Sequence, residues 1–182
     1  MAHYNTMAPS YDVRYGEEQS KKQEVALQTL GNLSGEMVLD EGCGTGLLFP
    51  KIAGYNTSIV GVDLSRRMLK RAVERFRPLK NVHLICCDAD FLPLGENLFD
   101  CLFSFTLLQN MPMPKTTLEE AVRVVKEAST LVFTVQKRSF SEDEFLKLLR
   151  KAGLLVVRSF EEGLKDYVAI CKLASLRKAS PI

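Results

Sequence analysis

The residues best placed to do chemistry lie in Val38-Leu39-Asp40-Glu41-Gly42-Cys43-Gly44-Thr45-Gly46-Leu47-Leu48. An apolar run ends in two acids and is followed by glycines at 42, 44 and 46. Glycines at alternate positions let a backbone turn sharply and let a ligand lie against main-chain atoms. The spacing is G-x-G-x-G, and Leu47 stands where a dinucleotide fingerprint would place its third glycine. Asp40 and Glu41 would repel a pyrophosphate and suit a ligand carrying positive charge. A dinucleotide oxidoreductase is therefore disfavoured, while a tight turn in another kind of nucleotide-binding α/β protein stays open.

Further acids follow at the ends of apolar runs. Asp63 closes Ser58–Asp63, 17 residues after Gly46, where a carboxylate can accept both hydroxyls of a ribose. Asp88 closes Val82–Cys87. In doubly wound sheets, ligands sit at such carboxyl ends, near the switch in strand order.

With these residues in view, V-L-D-E-G-C-G-T-G resembles the first motif of the class I S-adenosylmethionine-dependent methyltransferases. The sulfonium and α-ammonium of S-adenosylmethionine suit two acids at a strand end. Val62-Asp63-Leu64-Ser65-Arg66-Arg67-Met68 is similar to that family's second motif, and Asp88-Ala89-Asp90-Phe91-Leu92-Pro93 to its third. The resemblance implies a cofactor site made by Asp40, Glu41, Gly42, Cys43, Gly44 and Gly46, by Asp63 on the ribose, and by Leu64 and Met68 against adenine. It also implies that Asp88 and Ala89 meet the adenine amino group and ring, with Ser104 nearby. Ser104–Met111 would line the methyl-transfer site. Gln109 and Asn110 stand where many relatives acting on small molecules carry a histidine, and the segment is neither N-P-P-Y nor D-P-P-Y. Tyr11 belongs to a tyrosine arm, Tyr4 to Tyr15, resembling a lead-in that folds over the cofactor. Tyr11, Gln109 and Asn110 are thus the substrate-side candidates. The catalytic residue stays unknown, because His3 and His83 are the only histidines and neither sits where a base is needed.

Elements that must position these residues follow from periodicity and punctuation. The spacing predicts an irregular arm over 1–16, a helix over 17–33, and a strand over 37–40. Next come a helix over 47–53, a strand over 58–63, and a helix over 66–76 capped by Ser65. Strands are expected at 82–87, 99–105 and 130–136, with a helix over 116–127 between the last two. Ser141 starts a helix ending at Gly153, and strands 154–160 and 166–171 close a hairpin. Strands alternating with helices predict an α/β fold. The resemblance specifies a doubly wound, mostly parallel seven-stranded sheet of order 3-2-1-4-5-7-6, one strand antiparallel, with helices on both faces. The expected organisation is one domain over 1–182: an N-terminal arm and helix over 1–34, a sheet core over 36–172, and a frayed tail over 173–182.

Composition narrows the rest. The 182 residues carry a net charge of +2, too mild to imply nucleic acid by itself. The cysteines lie in predicted strands or the glycine loop without a C-x-x-C pair. That predicts buried thiols and neither a zinc site nor another metal centre. No signal peptide or membrane span is visible, so a cytoplasmic protein is expected. The basic stretch 66–80 reads as a solvated helix flank in preference to an RNA-binding face. The expectation is methyl transfer from S-adenosylmethionine to an unidentified acceptor, a small molecule before RNA or protein. A non-catalytic S-adenosylmethionine-binding module is the other reading. Oligomeric state is unknown.

Overall fold

A computed structural model describes residues 6–8, 10–31, 33, 36–55 and 57–174. The expected roles of Tyr4, Pro9, Ser34, Gly35 and most of the tail lie outside these residues. Seven strands form one sheet in the order β3-β2-β1-β4-β5-β7-β6. They are β1 (Met37–Glu41), β2 (Ser58–Asp63), β3 (Val82–Cys86), β4 (Phe99–Phe105), β5 (Val125–Gln136), β6 (Leu154–Phe160) and β7 (Asp166–Leu173). β1 pairs in parallel with β2 and β4, while β7 runs against both β5 and β6. The order reverses between β1 and β4, and that is where the glycine loop emerges. Among the described residues, the helices flanking the sheet include α1 (Tyr11–Leu30), α2 (Phe49–Ile52), α3 (Arg66–Phe76), α4 (Pro114–Val124) and α5 (Glu142–Lys151).

The central strands bury both faces. Leu39, Leu102, Leu131 and Phe133 pack with α4 and α5, and Val38, Cys101, Phe103 and Val132 with residues of α1, α2 and α3. Local sequence sets the helix starts. Ser65 Oγ accepts from the Met68 N–H at 3.2 Å. Ser141 and Glu144 form a reciprocal capping box, with three acids in the first turn of α5.

Three boundaries differ from expectation. α1 begins at Tyr11, not near residue 17. Its sheet-facing residues are Gln19, Lys22, Gln23 and Ala26, so apolar periodicity understates it. After the glycine loop, α2 is only Phe49–Ile52, followed by a 3₁₀ turn at Ala53–Tyr55. α4 stops at Val124, not at 127, and β5 begins at Val125, taking in Lys126-Glu127-Ala128-Ser129. The Leu98 N–H donates to the Val124 carbonyl at 2.7 Å, and Phe99 pairs with Val125. The register then shifts, leaving Lys126 to pair with Asp100. This bulge places Asp100 at the far end of the sheet, where it also accepts from the Met37 N–H.

Candidate functional site

The glycine loop is held by its neighbours before any ligand is considered. The N–H groups of Gly42 and Cys43 both donate to the Val62 carbonyl, each at 2.9 Å. Gly42, Gly44 and Gly46 have φ of 76°, 56° and 78°, a region costly for other residues. Asp63 clamps the loop: Oδ2 accepts from the Gly44 N–H at 2.9 Å and Oδ1 from the Ser65 N–H at 2.7 Å. Burial makes the Asp63 carboxyl a weaker acid than an ordinary aspartate, and the Ser65 and Gly44 N–H groups partly offset that shift. α1 lies across the loop, with Thr45 donating to Asp12 at 2.5 Å and Arg75 paired with the same carboxylate. The tyrosine arm is thus, from Tyr11 onward, the first turn of a helix over the site.

A cavity of about 140 Å³ opens at the carboxyl ends of the strands. It is lined by Gly42, Gly44, Asp63, Leu64, Met68, Asp88 and Ala89 on one side and by Tyr11, Phe105, Thr106, Leu107, Asn110 and Met111 on the other. Its described ionisable lining includes Asp63 and Asp88 and no basic side chain. Asp88 Oδ1 accepts from the Asp90 N–H at 3.1 Å, shaping the turn that presents Ala89.

Asp40 and Cys43 are set back from this cavity. They line a smaller adjoining space of about 30 Å³ with Tyr11, Gln19, Gln23, Gly42 and Gly44. Burial, then the nearby Asp63 charge, push Asp40 up to about 8. Glu41, Gly46 and Ser104 line neither space. Glu41 follows Asp40 in a strand, so its side chain turns to the opposite face. There burial pushes it up to about 8, partly offset by the Ser104 hydroxyl and increased by Asp90, Asp40 and Glu120. Neither Glu41 oxygen nor Ser104 Oγ completes a hydrogen bond of ordinary geometry. Gly46 instead packs under Phe49 and Phe76.

A second cavity of about 130 Å³ shares Tyr11, Thr106 and Asn110 with the first. Tyr15, Glu18, Gln19, Gln109, Gln136 and Arg138 complete much of its wall. The three substrate-side candidates therefore meet here. Gln109 Nε2 and Asn110 Nδ2 both donate to the Thr106 carbonyl at 2.8 Å. His83 is exposed on the edge strand β3, away from both cavities.

Sequence reasoning missed a polar network beneath α1. Lys22 is 1% exposed and is ion-paired with Asp166, itself 1% exposed. Lys22 Nζ also donates to Thr106 Oγ1 at 2.6 Å, and Gln19 Nε2 to the same oxygen at 3.2 Å. The available signal was negative: α1 lacks the apolar stripe a helix on a sheet normally carries.

Residues 39–133, just over half of the chain, match the family model described as a methyltransferase domain. The chain belongs to that family. Its strand order and glycine loop place it in the class I S-adenosylmethionine-dependent methyltransferase family. A malonyl-[acyl-carrier protein] O-methyltransferase of Marinomonas sp. (strain MWYL1) is 34% identical over 133 residues, 72% of this chain and 49% of that protein. A ubiquinone biosynthesis O-methyltransferase of Coxiella burnetii is 29% identical over 109 residues, 59% of this chain and 47% of that one. The chain spans about half the length of these relatives. A solved structure of an S-adenosylmethionine-dependent methyltransferase from Aquifex aeolicus is 25% identical, with a TM-score of 0.76, covering 83% of this chain and 89% of that one.

The family's cofactor is S-adenosylmethionine, and the first cavity fits it chemically. It offers carboxylates and backbone to a cationic nucleoside, and Asp40 is a buried carboxyl close behind. Among the described residues, no group of three or more histidines, cysteines or acids could hold a metal ion. No described helix is long and apolar enough to cross a membrane.

Proposed function

We propose that the chain transfers the methyl group of S-adenosylmethionine, bound in the first cavity, to an oxygen of a small molecule bound in the second. The junction of the two cavities supports this reading most directly. Tyr11, Thr106 and Asn110 line both, so groups bound on the two sides would meet there. A space of about 130 Å³ accommodates on the order of ten heavy atoms, as a small acceptor requires. Both relatives named above are O-methyltransferases.

In this reading, Asp63 accepts from the ribose hydroxyls while Leu64 and Met68 offer apolar surface to adenine. Asp88 accepts from the adenine amino group, and the Ala89 N–H meets the ring. Gly42, Gly44 and Asp40 surround the methionine portion, with Cys43 behind. S-adenosylmethionine supplies an electrophilic methyl group on a sulfonium. The chain contributes position: in-line placement of two reactants supplies on the order of 7–11 kcal/mol in favourable intramolecular cases.

Two measurements test this. S-adenosylhomocysteine should raise the melting temperature and NAD should not. Labelled S-adenosylmethionine, incubated with separated pools of small metabolites, RNA and protein, should label the small-metabolite pool. Label confined to RNA or protein would overturn the acceptor class. Cofactor binding without label in any pool would favour a non-catalytic binding module.

A further inference from the structure

Thr106 is the most constrained residue at the junction. It is β-branched, yet its φ is +59°, a conformation that persists only where surroundings over-determine it. Those surroundings are on hand. Its N–H donates to Thr134 Oγ1 at 2.9 Å, and its carbonyl accepts from Gln109 and Asn110. Lys22 and Gln19 both donate to its hydroxyl oxygen. A hydroxyl has two lone pairs and one hydrogen, so what Thr106 has left to offer is that hydrogen. Its protein partner is Asp166 Oδ2 at 3.4 Å, at the long limit for an O–H···O bond. The Lys22 ammonium, 2.6 Å from Oγ1, polarises the hydroxyl and strengthens it as a donor.

The second cavity therefore presents a strengthened donor, with Arg138 on its wall. Its carboxylate, Glu18, is engaged by Lys165 at 3.0 Å, and no histidine lines it among the described residues. This wall suits an acceptor that arrives as an anion and needs no base.

Resting on the small-molecule reading above, we propose that the methyl acceptor is a carboxylate, held by the Thr106 hydroxyl and the Arg138 guanidinium. Thr106 binds one carboxylate oxygen and leaves the other free. The free oxygen forms a bond to the methyl carbon as the carbon–sulfur bond breaks, its electrons passing to sulfur. An anion and a cation become a neutral ester and a neutral thioether, and no proton moves. Lys22 and Asp166 act through Thr106 as positioning residues.

The test uses the full chain loaded with S-adenosylhomocysteine, titrated calorimetrically with hexanoate, benzoate, hexanol, benzyl alcohol and hexylamine. The acids should bind at least about tenfold more tightly than the alcohols or the amine. Thr106→Val should weaken acid binding about tenfold, the scale of one hydrogen bond to a charged group, and Thr106→Ser should restore it. Arg138→Gln, at an exposed position, should weaken the acids without changing the melting temperature or cofactor affinity. Labelled products from a deproteinised extract should release their label as methanol in mild base, as esters do. Equal binding of alcohols, undetectable binding of acids, an unaffected Thr106→Val, or only base-stable products would overturn the proposal. If S-adenosylhomocysteine itself fails to bind, it is the cofactor-site reading that fails.

Discussion

The Asp63 carboxylate and the Gly44 N–H, 19 residues apart, are joined by a 2.9 Å hydrogen bond at the centre of the candidate cofactor site. A group proposed to hold the ribose therefore also holds the loop that would surround the methionine portion. Asp63→Ala should weaken S-adenosylhomocysteine binding by at least about tenfold, through lost ribose contacts and a freed Gly44 N–H. Asp63→Asn keeps an oxygen for one N–H and should lose less. Titration calorimetry measures both, and unchanged affinity in Asp63→Ala would remove the ribose assignment.

With Asp40 beside the methionine portion as proposed above, cofactor affinity should depend on pH. The Asp40 carboxyl is pushed up to about 8, so in the free protein it is largely neutral near pH 7. A cationic ligand alongside favours the ionised form, and binding then expels a proton. S-adenosylmethionine affinity should rise by up to about tenfold per pH unit below 8 and level off above it. S-adenosylhomocysteine, lacking the sulfonium charge, should show a shallower slope. Binding enthalpies in buffers of different ionisation heat should report the released proton. A flat profile that Asp40→Asn leaves unaltered would exclude Asp40 from the linkage.

Glu41 should act on stability instead. An acid whose folded value is raised binds its proton more tightly when folded. Its contribution is complete below the ordinary 4.5 and is lost as pH climbs toward about 8. Glutamine cannot ionise, so Glu41→Gln should match the parent at pH 5 and exceed it at pH 9. A gain of several °C is expected, since about 1 kcal/mol moves the midpoint of a domain this size by roughly 2–4 °C. Thermal melts at the two pH values decide it, and a variant less stable at pH 9 would show that Glu41 has a partner worth more than its burial costs.

The strands were legible because each is punctuated locally, while their order in the sheet came from the family resemblance. Gly153 ends α5, Ser65 and Ser141 cap helices, and acids mark the carboxyl ends of β2 and β3. The first cavity was legible for the same reason, since Gly42, Gly44, Asp63 and Asp88 lie within or beside those punctuated turns. Glu41 and Ser104 were harder to place, because adjacent strand residues point to opposite faces and a motif does not say which face a ligand takes. The Lys22–Asp166 pair was not legible at all. Its partners are 144 residues apart, and a lysine within Lys21-Lys22-Gln23-Glu24 looks like solvated surface until the sheet is laid beneath it. The start of β5 was hidden by helix-forming residues that the pairing of Phe99 with Val125 overrides.

Substitutions at Gly44 and Gly46 should separate cofactor binding from folding. Both glycines have positive φ, so alanine costs about 1–2 kcal/mol in either place. At Gly44 an added Cβ meets nothing within 4 Å, but Gly44 lines the first cavity, where the new methyl would stand against a bound ligand. At Gly46 the Cβ would lie 2.5 Å from Phe49 Cδ2 and 2.9 Å from Phe76 Cε2. Overpacking those rings adds roughly 1–3 kcal/mol. Gly46→Ala should therefore lower the melting temperature by about 5–15 °C, with cofactor affinity measured well below the melt close to normal. Gly44→Ala should melt within about 8 °C of the parent and bind S-adenosylhomocysteine at least about tenfold more weakly. The reverse pattern would mean that Gly46, not Gly44, is the glycine against which the cofactor lies.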